Sequence, residues 1–363
     1  MQIPIPTPDP MPLPAPVWLL RSLLLLTFFL HVVTMNFAFG GSVIALVSKL
    51  RAKPEDDAGR LARQLRGMLP VLVAFTITLG VAALLFVQVL YGPMLYSSSI
   101  LLGMPWMAVI PLLIAGYYAF YWSSLRDSRM AMWIGTIILA VIAFTLTNNM
   151  TLMLTPERWT GFYRASMAGI HFNLGDASIF PRYLHMVLGA LAMGGLLVAI
   201  LGLRERDAQH KQWLLRQGGM WFTGATVFNV LVGFWFLASL PRAVATALLG
   251  KSAGAAILVG ASVILAFIAI IELLLAANAG PKTGPALIGI TCALITIALM
   301  VLVRDRVRAE YLAPYFRPGD LAVAPQWGVI VLFLVLFVGG LATVYWMLRK
   351  LAAARRRFPM VAE

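Results

Sequence analysis

A chain of 363 residues that is 61% hydrophobic and only 12% charged has too few polar side chains to cover the surface of a soluble domain. Its net charge of +14 comes from short basic segments between apolar runs, a pattern that indicates membrane topology and excludes a nucleic-acid partner. The single cysteine, Cys292, excludes an internal disulfide, an iron–sulfur thiolate cluster and a covalent haem attachment motif.

The first sixteen residues form a separate compositional unit. Proline occupies every even position from 4 to 16 in MQIPIPTPDPMPLPAP, and the segment lacks the basic start of a secretory signal. Regularly spaced prolines exclude a helix and favour an extended, polyproline-type conformation. We therefore expect residues 1–16 to be an extended leader that lies on the surface or against a partner.

Nine apolar segments follow, and most reach the length of about 20 residues that a membrane-spanning helix requires. They cover residues 17–48, 69–91, 101–123, 131–152, 183–203, 217–239, 254–277, 285–303 and 328–348. Lysine and arginine are concentrated in the odd-numbered connections and in the C-terminal tail 349–363. The positive-inside rule then predicts a periplasmic N-terminus and a cytoplasmic C-terminus. The sequence thus predicts an all-α, multi-pass protein of the bacterial cytoplasmic membrane.

His31 lies in the middle of the first apolar segment, within TFFLHVVTMNFAFGG (27–41). Arg21 precedes it by ten residues, or about 15 Å along a helix. An ionisable side chain inside the membrane indicates a functional site by default, so His31 is a candidate haem ligand, with Met35 nearby as a second candidate. The alternative is a neutral histidine that is hydrogen-bonded to a backbone carbonyl of a neighbouring helix, and the residues alone leave both open.

His185 lies near the start of the fifth apolar segment, in FPRYLHMVLGALAMGG (180–195). Arg182 precedes it by three residues and is placed to contact a haem propionate. Small residues follow it, a composition that suits a flat porphyrin beside its axial ligand and equally suits close helix packing. These small residues are Gly189, Ala190, Ala192, Gly194 and Gly195.

The remaining polar candidates are weaker. His171 lies in a loop and His210 in the charged stretch RERDAQHKQ, and we expect both to be solvated. Glu272 is the one carboxylate well inside an apolar segment, where it serves a proton path or pairs with a basic side chain near the headgroups. No glycine-rich phosphate loop, HExxH motif or Ser/His/Asp arrangement is present, so hydrolase chemistry is unsupported.

An ordered set of motifs resembles cytochrome bd oxidase subunit I. LLRSLLLLTFFLHVVTMNFAFGGSVIALV (19–47) is similar to the family's first helix, with Arg21, His31 and Gly40 at the family's spacing. FPRYLHMVLGALAMGGLLVAI (180–200) is similar to its fifth helix, whose histidine binds the low-spin haem. YGPMLYSSSILLGMPWMAV and TLTNNMTLMLTPERW resemble, in order, segments that lie between these two helices.

The resemblance implies one or two haems b, with His31 and His185 as iron ligands and Arg182 at a propionate. It covers residues 17–240, which are expected to form a haem-binding helical bundle, whereas residues 241–348 diverge.

Three departures from the family limit the chemistry that the resemblance implies. The family's third helix carries two glutamates at its oxygen-reducing site, and Val109 and Tyr117 occupy those positions here. The family's long quinol-oxidising loop is reduced to a short connector, residues 240–253, and the stretch after it contains no methionine for the low-spin haem. The resemblance therefore implies a relative that has kept the histidines and lost the oxygen chemistry.

The leading functional hypothesis is a haem-b subunit of a respiratory electron-transfer complex and not a stand-alone enzyme. Electrons would pass between the quinone pool and a periplasmic c-type cytochrome docked on segments 152–182 and 304–327, where Arg158 and Arg164 are further candidate contacts. Other membrane subunits are expected partners. The alternatives are a haem-free structural subunit of a respiratory assembly, an active quinol oxidase with relocated acids, and a transporter.

Overall fold

A computed structural model describes residues 9, 11–53, 56–166, 168–251, 253–278 and 283–357. Over these residues the chain is almost entirely helical, and its one β-bridge joins Leu13 to Val323. The helices are α1 (Val17–Arg51), α2 (Asp57–Leu101), α3 (Gly103–Arg126), α4 (Arg129–Leu154), α5 (Trp159–Ala165), α6 (Ile179–Arg204), α7 (Ala208–Ser239), α8 (Arg242–Thr246), α9 (Ala253–Asn278), α10 (Thr283–Leu312) and α11 (Trp327–Arg357).

Nine of these described helices, all except the short α5 and α8, are long and apolar enough to cross a membrane, which confirms the predicted fold class. The largest difference concerns α2, which begins at Asp57 and ends at Leu101, well beyond the predicted 69–91. The helix bends at Tyr91 (φ −129°, ψ 27°), just before Pro93, which lacks a backbone donor. Most of the connection predicted after the first span is therefore helical.

The spans pack mostly against neighbours in the chain. α1 packs on α2, α6 packs on α7, and α9 packs on α10, while α1 also contacts α6 and α7 also contacts α9. α3 and α4 pair beside α2. We call the end of the bundle at which α1 begins the leader end. The described parts of three connections lie there, residues 155–166 and 168–178, 240–251, and 313–326.

The crossing of α1 and α6 depends on two glycines. A Cβ added to Gly40 would lie 1.9 Å from the carbonyl oxygen of Ala190, and a Cβ added to Gly194 would lie 2.6 Å from the carbonyl carbon of Gly40. The two backbones are therefore in direct contact, as in small-residue helix interfaces of membrane proteins. Gly195 makes an equivalent approach to α7, where an added Cβ would lie 2.5 Å from the amide nitrogen of Phe222.

The described part of the leader pairs with the connection before α11. The Leu13 amide donates to the Ala322 carbonyl (2.8 Å), and the Ala324 amide donates to the Leu13 carbonyl (2.9 Å). Leu13 and Ala15 are buried. The rest of the predicted extended leader, residues 1–8 and 10, lies outside the described residues.

The end opposite the leader end is held by ion pairs and helix caps. The Asp207 carboxylate accepts the amides of Gln209 and His210 at the start of α7. Its hydrogen bond from Arg60 and these backbone amides lower the pKa of Asp207. His210 is 2% exposed, pairs with Asp57 and stacks on Trp213, so the prediction that it is solvated is wrong. His210 is the third residue of α7, and its hydrogen bond to Asp57 at the start of α2 holds the imidazole against that helix.

α11 differs from the other spans because its described side chains from Val331 to Val338 are all about half exposed or more. Ile330, at the start of the helix, packs against the core at the leader end. The helix continues to Arg357 and so includes the beginning of the basic tail predicted for 349–363. Residues 358–363 of that tail lie outside the described part.

The α1–α6 contact generates the first prediction. Gly194→Ala forces an added methyl group into the backbone of Gly40, so we expect a loss of about 1–3 kcal/mol in the free energy of unfolding, as in overpacked cores. Gly224→Ala in α7 is the matched control, because nothing lies within 4 Å of its added Cβ and alanine favours a helix. Unfolding of the detergent-solubilised protein measures both, and equal stability of the two variants would contradict the contact.

Candidate functional site

His31 is fixed on α1 by a hydrogen bond to α2. Its Nδ1 lies 3.0 Å from the carbonyl oxygen of Thr76, and its ring rests on Gly80, where an added Cβ would lie 2.7 Å from Cε1. The Thr76 carbonyl is a backbone acceptor, so Nδ1 carries the proton in this contact. Within the described residues, Nε2 of His31 has no hydrogen-bond partner.

His185 repeats this arrangement between α6 and α7. Its Nδ1 lies 3.3 Å from the carbonyl oxygen of Asn229, and an added Cβ at Gly233 would lie 3.3 Å from its Cε1. Nε2 again has no partner in the part of the chain that the structure describes. Histidines that bind a metal through Nε2 commonly donate Nδ1–H to a carbonyl, so both imidazoles have the tautomer and the anchor that axial ligation requires.

Four arginines gather at the leader end, and we call them the arginine cluster: Arg21, Arg182, Arg304 and Arg308. Asp305 is 3% exposed and forms ion pairs with Arg308 and with Arg21, whose Nε lies 2.7 Å from Oδ2. Arg304 lies within electrostatic range of Arg182 and Arg308. Over the described residues, Arg182 and Arg304 form no ion pair, so the cluster carries excess positive charge.

Aromatic rings position the guanidinium groups of this cluster. The Cζ atom of Arg304 lies 4.1 Å from the ring centroid of Phe28, and the Cζ atom of Arg308 lies 4.4 Å from the ring centroid of Tyr91. The Cζ atom of Arg182 lies 4.9 Å from the centroid of Phe236. These cation–π contacts hold the cations without neutralising them.

Several nitrogens of the cluster are buried without a hydrogen-bond acceptor among the described residues. They are Nε of Arg182 and both Nε and Nη1 of Arg308. Leaving a buried donor unsatisfied costs about 1–3 kcal/mol, and more when the group is charged. The arrangement therefore fits one or more anionic groups that would accept these donors.

The cluster lies close to both histidines. Phe28, on which Arg304 stacks, has its ring centroid 6.2 Å from that of His31. Arg182 precedes His185 by one helical turn on α6. The predicted site residues His31, His185 and Arg182 thus lie on α1 and α6, which are in direct contact, and the arginine cluster adjoins His31 through Phe28 and His185 along α6.

The structure gives the positions of Met35 and of two small residues of α6. Met35 is four residues after His31 on α1 and faces the same side of the helix, so it can contact the edge of a bound ring but cannot lie across it from His31. The small residues Gly194 and Gly195 are used by helix packing against α1 and α7. Of the two explanations for the small residues of α6, close packing applies at these two positions.

Arg304, Arg308 and Asp305 were missed as site residues because the sequence places 304–327 in a connection. α10 instead continues to Leu312, with Val303, Val307 and Tyr311 buried at helical spacing. That spacing was the available signal, since apolar residues at i, i+4 and i+8 predict a continuing helix face. The arginines between these apolar residues lower the mean hydropathy of the segment, so the helical pattern is not evident from hydropathy.

The buried charge at Asp305 generates the second prediction. Asp305→Asn leaves Arg21 and Arg308 without their shared carboxylate, and breaking a buried ion pair typically costs about 3–5 kcal/mol in the free energy of unfolding. Asp320→Asn, on the exposed connection before α11, is the control and should change stability by less than about 0.5 kcal/mol. Equal unfolding midpoints for the two variants would show that Asp305 does not neutralise the cluster.

Comparison with known proteins agrees with this architecture. No family model and no curated protein matches the sequence. Among solved structures, the chain is similar to the bd oxidase from Geobacillus thermodenitrificans, with a TM-score of 0.69 and 14% identity over 94% of this chain and 100% of that chain. At this identity the likeness concerns the fold. The resemblance inferred from the motifs is confirmed at that level: the chain is a multi-pass membrane protein with a bd-oxidase-like fold.

Proposed function

We propose that the protein is a haem-b-binding membrane subunit of a respiratory electron-transfer complex. The observation that carries the proposal is the excess of arginine charge, with three buried nitrogens that lack acceptors among the described residues, beside two histidines whose Nδ1 atoms are both held by backbone carbonyls. A haem meets both requirements at once, because its iron takes a neutral imidazole and its two propionates take guanidinium groups. The bd-oxidase-like fold supports the same proposal.

The residues that would hold haem b can be named. His31 and His185 would bind iron through Nε2, and Arg182, Arg304 and Arg308 would donate to propionates. When bound, haem supplies one-electron transfer. The protein's own contribution is to orient the imidazoles through Thr76 and Asn229 and to keep the arginines dehydrated, which strengthens their attraction for carboxylates.

The lack of acids on α3 supports electron transfer over oxygen reduction. No aspartate or glutamate occurs between Gly103 and Arg126, and Tyr117 stacks on Tyr121 one turn away. Reducing oxygen consumes protons, which carboxylates inside the membrane commonly relay. The proposed role is therefore to pass electrons, with quinone and a partner protein as the two ends of the path.

The proposed orientation places the leader end in the periplasm, following the positive-inside rule. At that end Arg164 and Arg317 are exposed, and Tyr163 is 60% exposed. Basic and aromatic side chains of this kind are enriched in protein interfaces. They support docking of a c-type cytochrome or another periplasmic partner at 152–182 and 304–327 in the bacterial inner membrane.

A haem-free structural subunit is the second candidate, and one observation favours it. Gly80 contacts the His31 ring directly, and Gly194 and Gly195 are used by helix packing, so the bundle is closely packed at these places without a ligand. In this alternative each imidazole simply joins two helices through its Nδ1 hydrogen bond.

Replacement of the histidines separates the two candidates. We expect His31→Ala and His185→Ala each to remove a b-type component from the reduced-minus-oxidised spectrum and to lower the haem content per chain, because each removes an iron ligand. Leu30→Ala and Leu184→Ala are matched controls, since each changes the neighbouring, partly exposed residue of the same helix.

The structural candidate predicts unchanged spectra in all four variants, or no b-type signal in the parent protein. Either result would contradict haem binding at these histidines. Normal membrane insertion of the variants, measured by yield and by elution as a single species, ensures that the loss of signal reflects ligation.

A further inference from the structure

Basic side chains from four helices surround Asp127 at the end of the bundle opposite the leader end. Asp127 lies between α3 and α4, and its carboxylate forms ion pairs with Lys49 of α1 and Arg66 of α2. Its carbonyl also accepts a hydrogen bond from Nζ of Lys49 (2.8 Å). Arg126 ends α3, and Arg129, which begins α4, lies within electrostatic range of Lys49. We call these four cations, Lys49, Arg66, Arg126 and Arg129, the basic corner.

The basic corner carries more positive charge than its acid can neutralise. Among the described residues, Asp127 is the acid that pairs with this corner, and neither Arg126 nor Arg129 forms an ion pair. Arg60, at the same end of the bundle, differs because three acids surround it: Asp57, Glu205 and Asp207. The positive-inside rule explains why this end is basic as a whole, but it does not explain this local excess. The corner therefore has the charge of an anion-binding site.

An exposed apolar and aromatic surface adjoins the basic corner on α3 and α4. Trp122 and Leu125 near the end of α3, and Met130 at the start of α4, are each more than half exposed, and Trp133 is 44% exposed. The Cζ atom of Arg126 lies 5.6 Å from the ring centroid of Trp122. Tryptophan near the ends of spanning helices is typical of the level at which lipid headgroups begin. The corner is therefore placed where a headgroup and its acyl chains meet.

We propose that the basic corner binds the headgroup of an anionic phospholipid, whose acyl chains lie along the exposed surface of α3 and α4. Arg126 and Arg129 are exposed, so their guanidinium groups are free to donate paired hydrogen bonds to the phosphodiester. Lys49 and Arg66 are only 17% and 13% exposed, and Asp127 holds both. These two cations therefore attract the headgroup through their positive potential and not through direct contact.

The apolar surface favours a phospholipid over a soluble phosphate. A soluble anion would meet the positive charge but would make no use of the exposed side chains of Trp122, Leu125 and Met130. A phospholipid engages both features, and basic sites between spanning helices commonly bind lipid headgroups. This binding requires neither haem nor a partner protein, so its failure and the failure of the proposed function are separate results.

Native mass spectrometry of the delipidated full-length protein in neutral detergent tests this inference, because each bound lipid adds its own mass. Dioleoylphosphatidylglycerol is the anionic probe and dioleoylphosphatidylcholine, with the same acyl chains and no net charge, is the neutral one. We expect the first phosphatidylglycerol to bind more tightly than phosphatidylcholine. The double substitution Arg126→Gln and Arg129→Gln should weaken phosphatidylglycerol binding by about 10- to 30-fold, the effect of removing two basic groups near an anionic headgroup.

Arg204→Gln with Arg206→Gln is the matched control, because it removes two exposed arginines and the same charge from the same end of the bundle, outside the basic corner. We expect this control to bind phosphatidylglycerol as the parent does. Equal affinity of the parent for the two lipids, an unchanged affinity in the corner variant, or an equal loss in both double variants would each overturn the inference. Displacement of phosphatidylglycerol by an equal concentration of inorganic phosphate would likewise contradict a lipid site.

Discussion

The organisation of the leader end follows from one electrostatic constraint: of the four guanidinium groups of the arginine cluster, only those of Arg21 and Arg308 pair with the buried carboxylate of Asp305. The groups come from α1, α6 and α10, so the ion pairs and their aromatic supports connect three helices that are distant in the chain. Charges inside a membrane bundle are costly unless they are paired. The proposed haem site rests on this excess of guanidinium groups over paired carboxylates.

Each of the two histidines joins a pair of packed helices. His31 spans α1 and α2, and His185 spans α6 and α7, while Gly40 and Gly194 bring α1 and α6 into backbone contact. The close α1–α6 contact thus fixes the spacing between the two imidazoles, and the arginine cluster lies at the same end of both helices. A change in the glycine contact should alter both sites together, because they share this rigid pair of helices.

The number and type of spans were predictable from hydropathy, because a membrane helix must be apolar over about 20 residues. His31, His185 and Arg182 could be named as candidates for a related reason, since polar residues stand out in such runs. Arg304, Arg308 and Asp305 were not found, because charged residues at the end of a span resemble a loop until the position of Tyr91 and Phe28 on other helices is known. Similarly, the burial of His210 depends on Asp57, which is 153 residues away. Contacts of this kind are set by helix packing, which a single sequence does not encode locally.

The most direct test of the central claim compares haemin with haemin dimethyl ester, in which both propionates are blocked, as stabilisers of the haem-depleted full-length protein. If the buried arginines take propionates, haemin should raise the free energy of unfolding by about 2.7 kcal/mol at a hundredfold excess over its dissociation constant. At the same concentration, the ester should raise the free energy of unfolding much less, because it keeps the iron and the apolar ring but lacks the charged propionates and so binds more weakly. Equal stabilisation by the two compounds, or none by haemin, would contradict the account.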